Sequence, residues 1–146
     1  MVDLNKYKPQ LFFWSVCISV VLLDQVTKYL VFNYKPELDF RWFMINLVQN
    51  TGAGFGILKD QIHLLTLISL VVALLIILFY RKIPKKIVPQ LFSALFLGGV
   101  AGNLIDRLFR RFVIDFIDFK IWPAFNLADA AISIAVIGLI LYFWKK

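Results

Sequence analysis

Two aspartates, Asp115 and Asp129, are the residues of this chain best suited to chemistry. They lie 14 positions apart, in the motifs Val-Ile-Asp-Phe-Ile and Asn-Leu-Ala-Asp, within a very hydrophobic polypeptide. A carboxylate beside hydrocarbon is costly, so a functional site is the first hypothesis for each. Two neighbouring carboxylates cannot both ionise readily, which leaves one as an acid and the other as a base. The pair therefore predicts hydrolytic chemistry.

The composition indicates an integral membrane protein. Of the 146 residues, 61% are hydrophobic and 17% are charged, whereas soluble domains are about 45–50% apolar and about 25% charged. Four apolar stretches approach the ~20 residues with which a helix crosses a bilayer. They cover residues 11–32, 62–80, 88–105 and 127–144. We expect a single membrane domain over residues 1–146, an all-α fold with four transmembrane helices.

The basic residues predict the orientation of these helices. Four spans put both termini on one side, where eight basic residues crowd into short segments beside one acid, Asp3. Those basic residues are Lys6, Lys8, Arg81, Lys82, Lys85, Lys86, Lys145 and Lys146. Dense basic residues near span ends mark the cytoplasmic side, so we expect both termini there. Contact with anionic lipid then accounts for the net charge of +7, and no nucleic-acid partner is expected.

The two segments on the opposite side, residues 33–61 and 106–126, are where we expect the chemistry. Both mix charged and aromatic residues at short spacing, as in the run from Asp39 to Trp42 and the run from Asp115 to Trp122. Such alternation is typical of strands. We expect a small extracytoplasmic β-like cradle on the membrane surface.

Asn126 lies three residues before Asp129, at the start of the fourth predicted span. On a helix the two side chains share a face, so the amide can hydrogen-bond the carboxylate and fix its rotamer. Asn and Asp also suit the cap and first turn of a helix. The spacing leaves both interpretations open.

The end of the third predicted span combines glycines with polar residues. Gly98 and Gly102 form a small-xxx-small pair that lets two helices pack closely. Asn103, Asp106 and Arg107 then share one face of the helix. Arg107 has three possible roles: it could neutralise Asp106, bind a lipid phosphate or fix a backbone carbonyl.

Two further polar motifs have structural interpretations. The run from Asn50 to Gly56 is rich in glycine but lacks the Lys-Ser/Thr of a phosphate loop, which argues against nucleotide binding. We expect a tight turn there that brings Asn50 toward the other polar groups. Asp24 and Lys28 have the i, i+4 spacing of a helical ion pair, for which an interfacial position is the simplest account.

Other catalytic classes lack the residues they need. His63 is the only histidine and Cys17 the only cysteine, so a zinc or haem site has almost no support. Cys17 is expected to pack as a small hydrophobe. The serines lie in or near the predicted spans without an evident histidine or lysine partner, which argues against a serine nucleophile.

Five motifs together resemble those of the lipoprotein signal peptidases, also called signal peptidase II. In chain order they are Asp24-Gln-x-x-Lys28, Asn50-x-Gly-Ala-Gly-Phe, Gly98-Gly-x-x-Gly-Asn-x-x-Asp-Arg107, Val113-x-Asp-Phe116 and Phe125-Asn-x-Ala-Asp129. They run from the first predicted span to the fourth, so the resemblance covers the whole chain. Each motif is weak alone, and their order is what makes the resemblance specific.

The resemblance implies an aspartic endopeptidase that removes signal peptides from bacterial prolipoproteins, cutting just before a cysteine that carries diacylglyceryl. It also implies that the protein resides in the bacterial cytoplasmic membrane, with membrane lipid as a second partner. No metal or organic cofactor is implied, and we expect a monomer. The implied catalytic residues are Asp115 and Asp129. The implied substrate-binding or supporting residues are Asp24, Lys28, Asn50, Gly52, Asn103, Asp106, Arg107 and Asn126. Asp118, an extra acid near Asp115, is not assigned to catalysis.

Two other classes stay open on sequence alone. A small transporter would use Asp24, Asp115 and Asp129 as a proton or cation relay, but such proteins place ionisable groups at the membrane midplane and often show repeats. Here the acids gather near one edge. A noncatalytic membrane subunit held by its glycine-rich helix faces would leave the clustered Asp and Asn residues without a purpose.

Overall fold

A computed structural model describes residues 8–54 and 57–145 of the chain. Asp3, Lys6 and Lys146 of the orientation prediction lie outside these ranges, as do Phe55 and Gly56 of the glycine-rich motif. The described residues form four α-helices and three β-strands, with a short 3₁₀ turn at Tyr80–Lys82.

The helices follow the predicted apolar stretches. They are α1 (Lys8–Tyr34), α2 (Ile62–Leu78), α3 (Ile87–Phe109) and α4 (Leu127–Trp144). Within the described ranges, α1, α3 and α4 are long and apolar enough to cross a membrane, while α2 has 17 residues and is shorter. The structure is therefore mostly helical, as predicted, and has three candidate spans. The fourth predicted span is not confirmed.

Helix α3 occupies the centre and contacts α1, α2 and α4. Glycine permits this close packing. A Cβ atom on Gly98 would lie 2.9 Å from the backbone oxygen of Cys17 on α1, and one on Gly99 would lie 2.5 Å from that of Ala128 on α4. A Cβ on Gly102, the other member of the predicted pair, would lie 2.6 Å from Asp24 Oδ2 on α1. The predicted small-residue pair is thus confirmed against α1, and Gly99 adds the close contact with α4.

The apolar core lies between α1, α2 and α3. Phe13, Cys17, Ala73, Ala94, Leu97 and Val100 are its buried members. Cys17 is 6% exposed, so it packs as the small hydrophobe that was expected. A second cluster of Val31, Ile114 and Phe116 joins α1 to the sheet.

The strands form the predicted cradle. β1 (Leu38–Phe40), β2 (Phe43–Asn50) and β3 (Val113–Asp118) make an antiparallel sheet in the order β1-β2-β3. The register places Val48 opposite Asp115 and Asn50 opposite Val113, with an irregularity between Ile45 and Val48. Because β3 closely follows α3 and precedes α4, the sheet brings its polar residues to one end of the helices.

Candidate active site

Asp115 lies on β3 and is 1% exposed. Its two oxygens accept separate amide hydrogen bonds, from Asn50 Nδ2 at 2.9 Å and from Asn126 Nδ2 at 2.7 Å. Burial raises the pKa of Asp115 to about 7, and the charge of Asp129 acts in the same direction. The two amide donors oppose this rise without cancelling it. Asp115 therefore holds its proton far more readily than an ordinary carboxyl group.

Asp129 lies in the first turn of α4 and is half-buried. Its carboxylate accepts from Asn103 Nδ2 at 2.7 Å and from the backbone N–H of Asn126 at 3.2 Å. Helix α4 begins with a capping box in which Asn126 Oδ1 accepts from the backbone N–H of Asp129 at 2.9 Å. These bonds fix the carboxylate near the positive end of the helix dipole.

Asn126 connects the two aspartates, with partners different from those expected. The bond from its amide to the Asp129 carboxylate, one of the two possibilities that the spacing left open, is not the one formed: the amide donates to Asp115 while its oxygen caps α4. The link to Asp129 uses the backbone N–H of Asn126. Capping and site construction, which the sequence left as alternatives, are therefore both performed by one side chain.

Lys28 anchors the polar layer beneath this site. Its ammonium group lies 2.8 Å from Asp24 Oδ2 and 3.0 Å from Asp106 Oδ2, and it donates to Asn103 Oδ1 at 2.9 Å. The predicted ion pair with Asp24 is confirmed, and both side chains are fully buried within the protein. Because Lys28 holds the oxygen of the Asn103 amide, the nitrogen of that amide faces Asp129.

Arg107 follows the third of its predicted roles. It is 8% exposed, and it donates to the backbone oxygen of Gly52 and to Ser69 Oγ, each at 3.4 Å. Its Nε has no hydrogen-bond partner in the described part of the chain. Asp106 is neutralised instead by Lys28 and Arg110. Arg107 thus fixes a backbone carbonyl, and its Nε is a buried donor.

The turn after β2 has the expected shape. Gly52 N donates to Asn50 Oδ1 at 2.9 Å, which closes the turn and leaves the Asn50 nitrogen for Asp115. A Cβ on Gly52 would lie 3.0 Å from the backbone oxygen of Ile57. Asn50 therefore reaches the polar cluster as predicted.

Both aspartates line one cavity of about 420 Å³. Arg107 and Asn50 also line it, whereas its other walls are largely apolar and include Phe125, Ile132 and Ile134. The remaining predicted residues are not part of its lining. Asp24, Lys28, Asn103, Asp106 and Asn126 support it through the bonds described above, and Gly52 accepts from Arg107. Within the described ranges, no group of three or more His, Cys, Asp or Glu residues is arranged to hold a metal ion.

The sequence reasoning missed Gln25 and did not foresee the partners of Arg110. Gln25 Nε2 donates to the Gly102 backbone oxygen at 3.1 Å and to Asp106 Oδ1 at 3.2 Å. Arg110 donates to Gln25 Oε1 at 3.0 Å and pairs with Asp106. The only signal for Gln25 was its place in the Asp24-Gln-x-x-Lys28 motif. These residues join α1 to the end of α3.

A helical membrane protein whose paired carboxylates open onto an apolar cavity has the site of an acid–base hydrolase. The family model of signal peptidase (SPase) II matches residues 16–145. The chain belongs to the signal peptidase II family and is a peptidase.

Curated relatives agree with this assignment. The lipoprotein signal peptidase of Halothermothrix orenii (strain H 168) is 39% identical, over 91% of this chain and 95% of its own. That of Moorella thermoacetica (strain ATCC 39073) is 38% identical, over 91% of both chains. A solved bacterial membrane enzyme has a TM-score of 0.85 at 29% identity, over 91% of this chain and 87% of its own. The transporter and noncatalytic alternatives are therefore set aside.

Proposed function

We propose that this chain is an aspartic endopeptidase that cleaves signal peptides from prolipoproteins, just before a cysteine carrying diacylglyceryl. The observation that carries the proposal is the double role of Asn126. Its side chain donates to Asp115 and its backbone N–H donates to Asp129, so one residue holds both carboxylates at a single cavity. The names of the curated relatives support the substrate class.

In the proposed mechanism, Asp115 carries the proton of the pair and Asp129 is ionised. Asp129 takes a proton from a water molecule, and the resulting hydroxide attacks the scissile carbonyl carbon. Asp115 donates a hydrogen bond to the carbonyl oxygen as negative charge develops there. Collapse of the tetrahedral intermediate breaks the C–N bond, and the proton held by Asp129 passes to the leaving amine. The raised pKa of Asp115 supports this division of roles, because it keeps the acid protonated near neutral pH.

The apolar cavity supports a lipid-modified substrate. Each buried CH₂ contributes about 0.8 kcal/mol, so two acyl chains offer more binding energy than a short peptide segment. Lipid anchoring also fixes the scissile bond against the carboxylates, which lowers the entropic part of the barrier. We therefore expect single-turnover cleavage of the diacylglyceryl form to exceed that of the unmodified precursor by orders of magnitude in the same detergent. Equal rates would remove the lipid from the proposal and leave the peptidase in place.

The proposed setting is the bacterial cytoplasmic membrane, with a monomeric single domain over residues 1–146 and both termini cytoplasmic. Helix α2 would supply the fourth span, since 17 residues is the lower end of the ~17–25 that cross a bilayer. The basic residues Arg81, Lys82, Lys85 and Lys86 between α2 and α3 support this orientation. A cysteine at Lys59 should then label from outside, and a reporter fused after Lys146 should be active only in its cytoplasmic form. The reverse pattern would overturn the orientation.

The decisive experiment measures cleavage of a diacylglyceryl-modified prolipoprotein by the purified protein. Asp115→Asn and Asp129→Asn should each abolish cleavage, and the double variant should be little worse than either, because the two act as one unit. Asp118→Asn is the matched control, since it removes a carboxylate from the same strand and should retain activity. Substantial cleavage by Asp129→Asn would refute the assignment of the pair.

A further inference from the structure

Asp115 stands in a wall between two cavities. Besides the cavity already described, a second cavity of about 320 Å³ borders Asp115 from the side of β2. Asn50, Asp115, Pro123 and Ala124 line both. A polypeptide that extends from one cavity into the other therefore passes the catalytic pair.

The two cavities differ in chemistry. The first continues along α4 past Ile132 and Ile134, so its far end is apolar. The second is lined by the end of β2 and the following loop, including Gln49, Thr51 and Lys59. Its lining is therefore more polar and carries a cation.

Lys59 is exposed and forms no ion pair with any residue in the described part of the chain. The neighbouring Asp60 does not line the second cavity, and its carboxylate accepts from Thr51 Oγ1 at 2.7 Å. Lys59 and Asp115 are the ionisable residues of this lining, and Asp115 carries a proton in the proposed mechanism. The charge of Lys59 is thus available to a bound ligand.

This inference rests on the function proposed above, because the substrate of that reaction also has an apolar part and a polar part. A signal peptide and the acyl chains on the cysteine are apolar and favour the cavity that continues along α4. The residues that follow the cysteine leave the membrane and favour polar surroundings. We propose that the second cavity binds the first residues of the mature lipoprotein after the cysteine, and that Lys59 makes it prefer an acidic side chain there over a basic one.

Exposed charge pairs are weak, so the preference should be modest. One such pair changes a binding constant by about two- to fivefold. We expect kcat/KM for a substrate with Asp in the first two positions after the cysteine to exceed that for one with Lys by about two- to fivefold at low salt. The preference should shrink as salt is added, because both charges are exposed to solvent.

Charge reversal tests this directly. Three diacylglyceryl-modified prolipoproteins, with Asp, Asn or Lys in those positions, are assayed with the wild type and with Lys59→Glu. The Asp-to-Lys ratio should invert in Lys59→Glu, with the rate on the Asn substrate as the internal reference for each protein. Lys85→Glu makes the same change in net charge at the other end of α2 and should keep the wild-type ratio. A ratio near one in the wild type, or an unchanged ratio in Lys59→Glu, would overturn the inference.

Crosslinking tests the direction of the bound chain. A photoreactive residue directly after the cysteine should attach to residues 48–52 or to Lys59, which line the second cavity, in the Asp129→Asn variant, and one within the signal peptide should attach to α4. The opposite pattern would refute the inference. Failure of the wild type to cleave the Asn substrate would instead overturn the proposed function, so the two failures are distinguishable.

Discussion

The Asp115→Asn substitution should destabilise the folded protein at low pH and stabilise it at high pH. Ionising Asp115 is harder in the folded protein, where its pKa is raised to about 7 from the usual 3.8. The folded state is thus disfavoured progressively as the pH rises from about 4 to about 7. Roughly three pKa units at about 1.36 kcal/mol each amount to about 4 kcal/mol. The rise in pKa is a property of Asp115 and Asp129 together, because the charge of Asp129 is one of its causes.

The Asp115→Asn variant has no group at this position that can ionise, so this loss is absent from it. At low pH the variant should be the less stable protein by about 1–3 kcal/mol, because one of the two amides that donate to Asp115 then meets a donor instead of an acceptor. At pH 8 the loss of about 4 kcal/mol in the wild type outweighs that cost. The variant should then be more stable by about 1–3 kcal/mol while remaining inactive.

The assay is reversible unfolding in mixed micelles at pH 4, 6 and 8, with the difference between the two proteins as the readout. This difference removes the titration of groups that both proteins share. Asp118 does not line the cavity shared by Asp115 and Asp129, so Asp118→Asn should keep the wild-type pH dependence. Parallel pH dependence of wild type and Asp115→Asn would refute the assignment of the proton to Asp115.

Three further outcomes follow from the packing and the polar layer. Lys28→Met leaves two buried carboxylates without their shared cation and should cost about 3–5 kcal/mol in an unfolding measurement; adding Asp24→Asn should recover part of the loss. Gly99→Ala places a Cβ 2.5 Å from a backbone oxygen and should cost about 1–3 kcal/mol, whereas Gly54→Ala meets nothing within 4 Å and should be neutral. Asn126→Ala removes the cap of α4 and the amide bond to Asp115, and it should cost at least about 1–2 kcal/mol and lower kcat at least tenfold.

Local patterns predicted the local structure well. The four apolar stretches match the four helices, the turn at Asn50 forms, and Asp24 pairs with Lys28 as the i, i+4 spacing indicates. Helix α3 continues to Phe109, beyond the predicted end of the span at residue 105. The hydropathy pattern placed the end of the third span at residue 105 because polar residues follow it. The fold instead buries Asp106 against α1 and β3, through Lys28 and the backbone N–H of Ile114.

Partners across elements were not predictable from spacing. Lys28 meets Asp106, Asn103 meets Asp129 and Asn126 meets Asp115 only after the helices and sheet have packed. An amide presents a donor and an acceptor to different neighbours, so its role depends on which elements flank it. Sequence alone identified the right residue types and left their pairing open.

The amides beside the two aspartates have a consequence for the protonation of the pair. The side chains that hydrogen-bond the two carboxylates are Asn50, Asn103 and Asn126. A cation in their place would stabilise the charged form strongly and favour two ionised carboxylates. Lys28 is close, but its charge is matched by Asp24 and Asp106, and it reaches Asp129 only through the Asn103 amide. The fold therefore fixes the geometry of both carboxylates while raising the pKa of Asp115 to about 7, which suits the proposed division of the pair into an acid and a base.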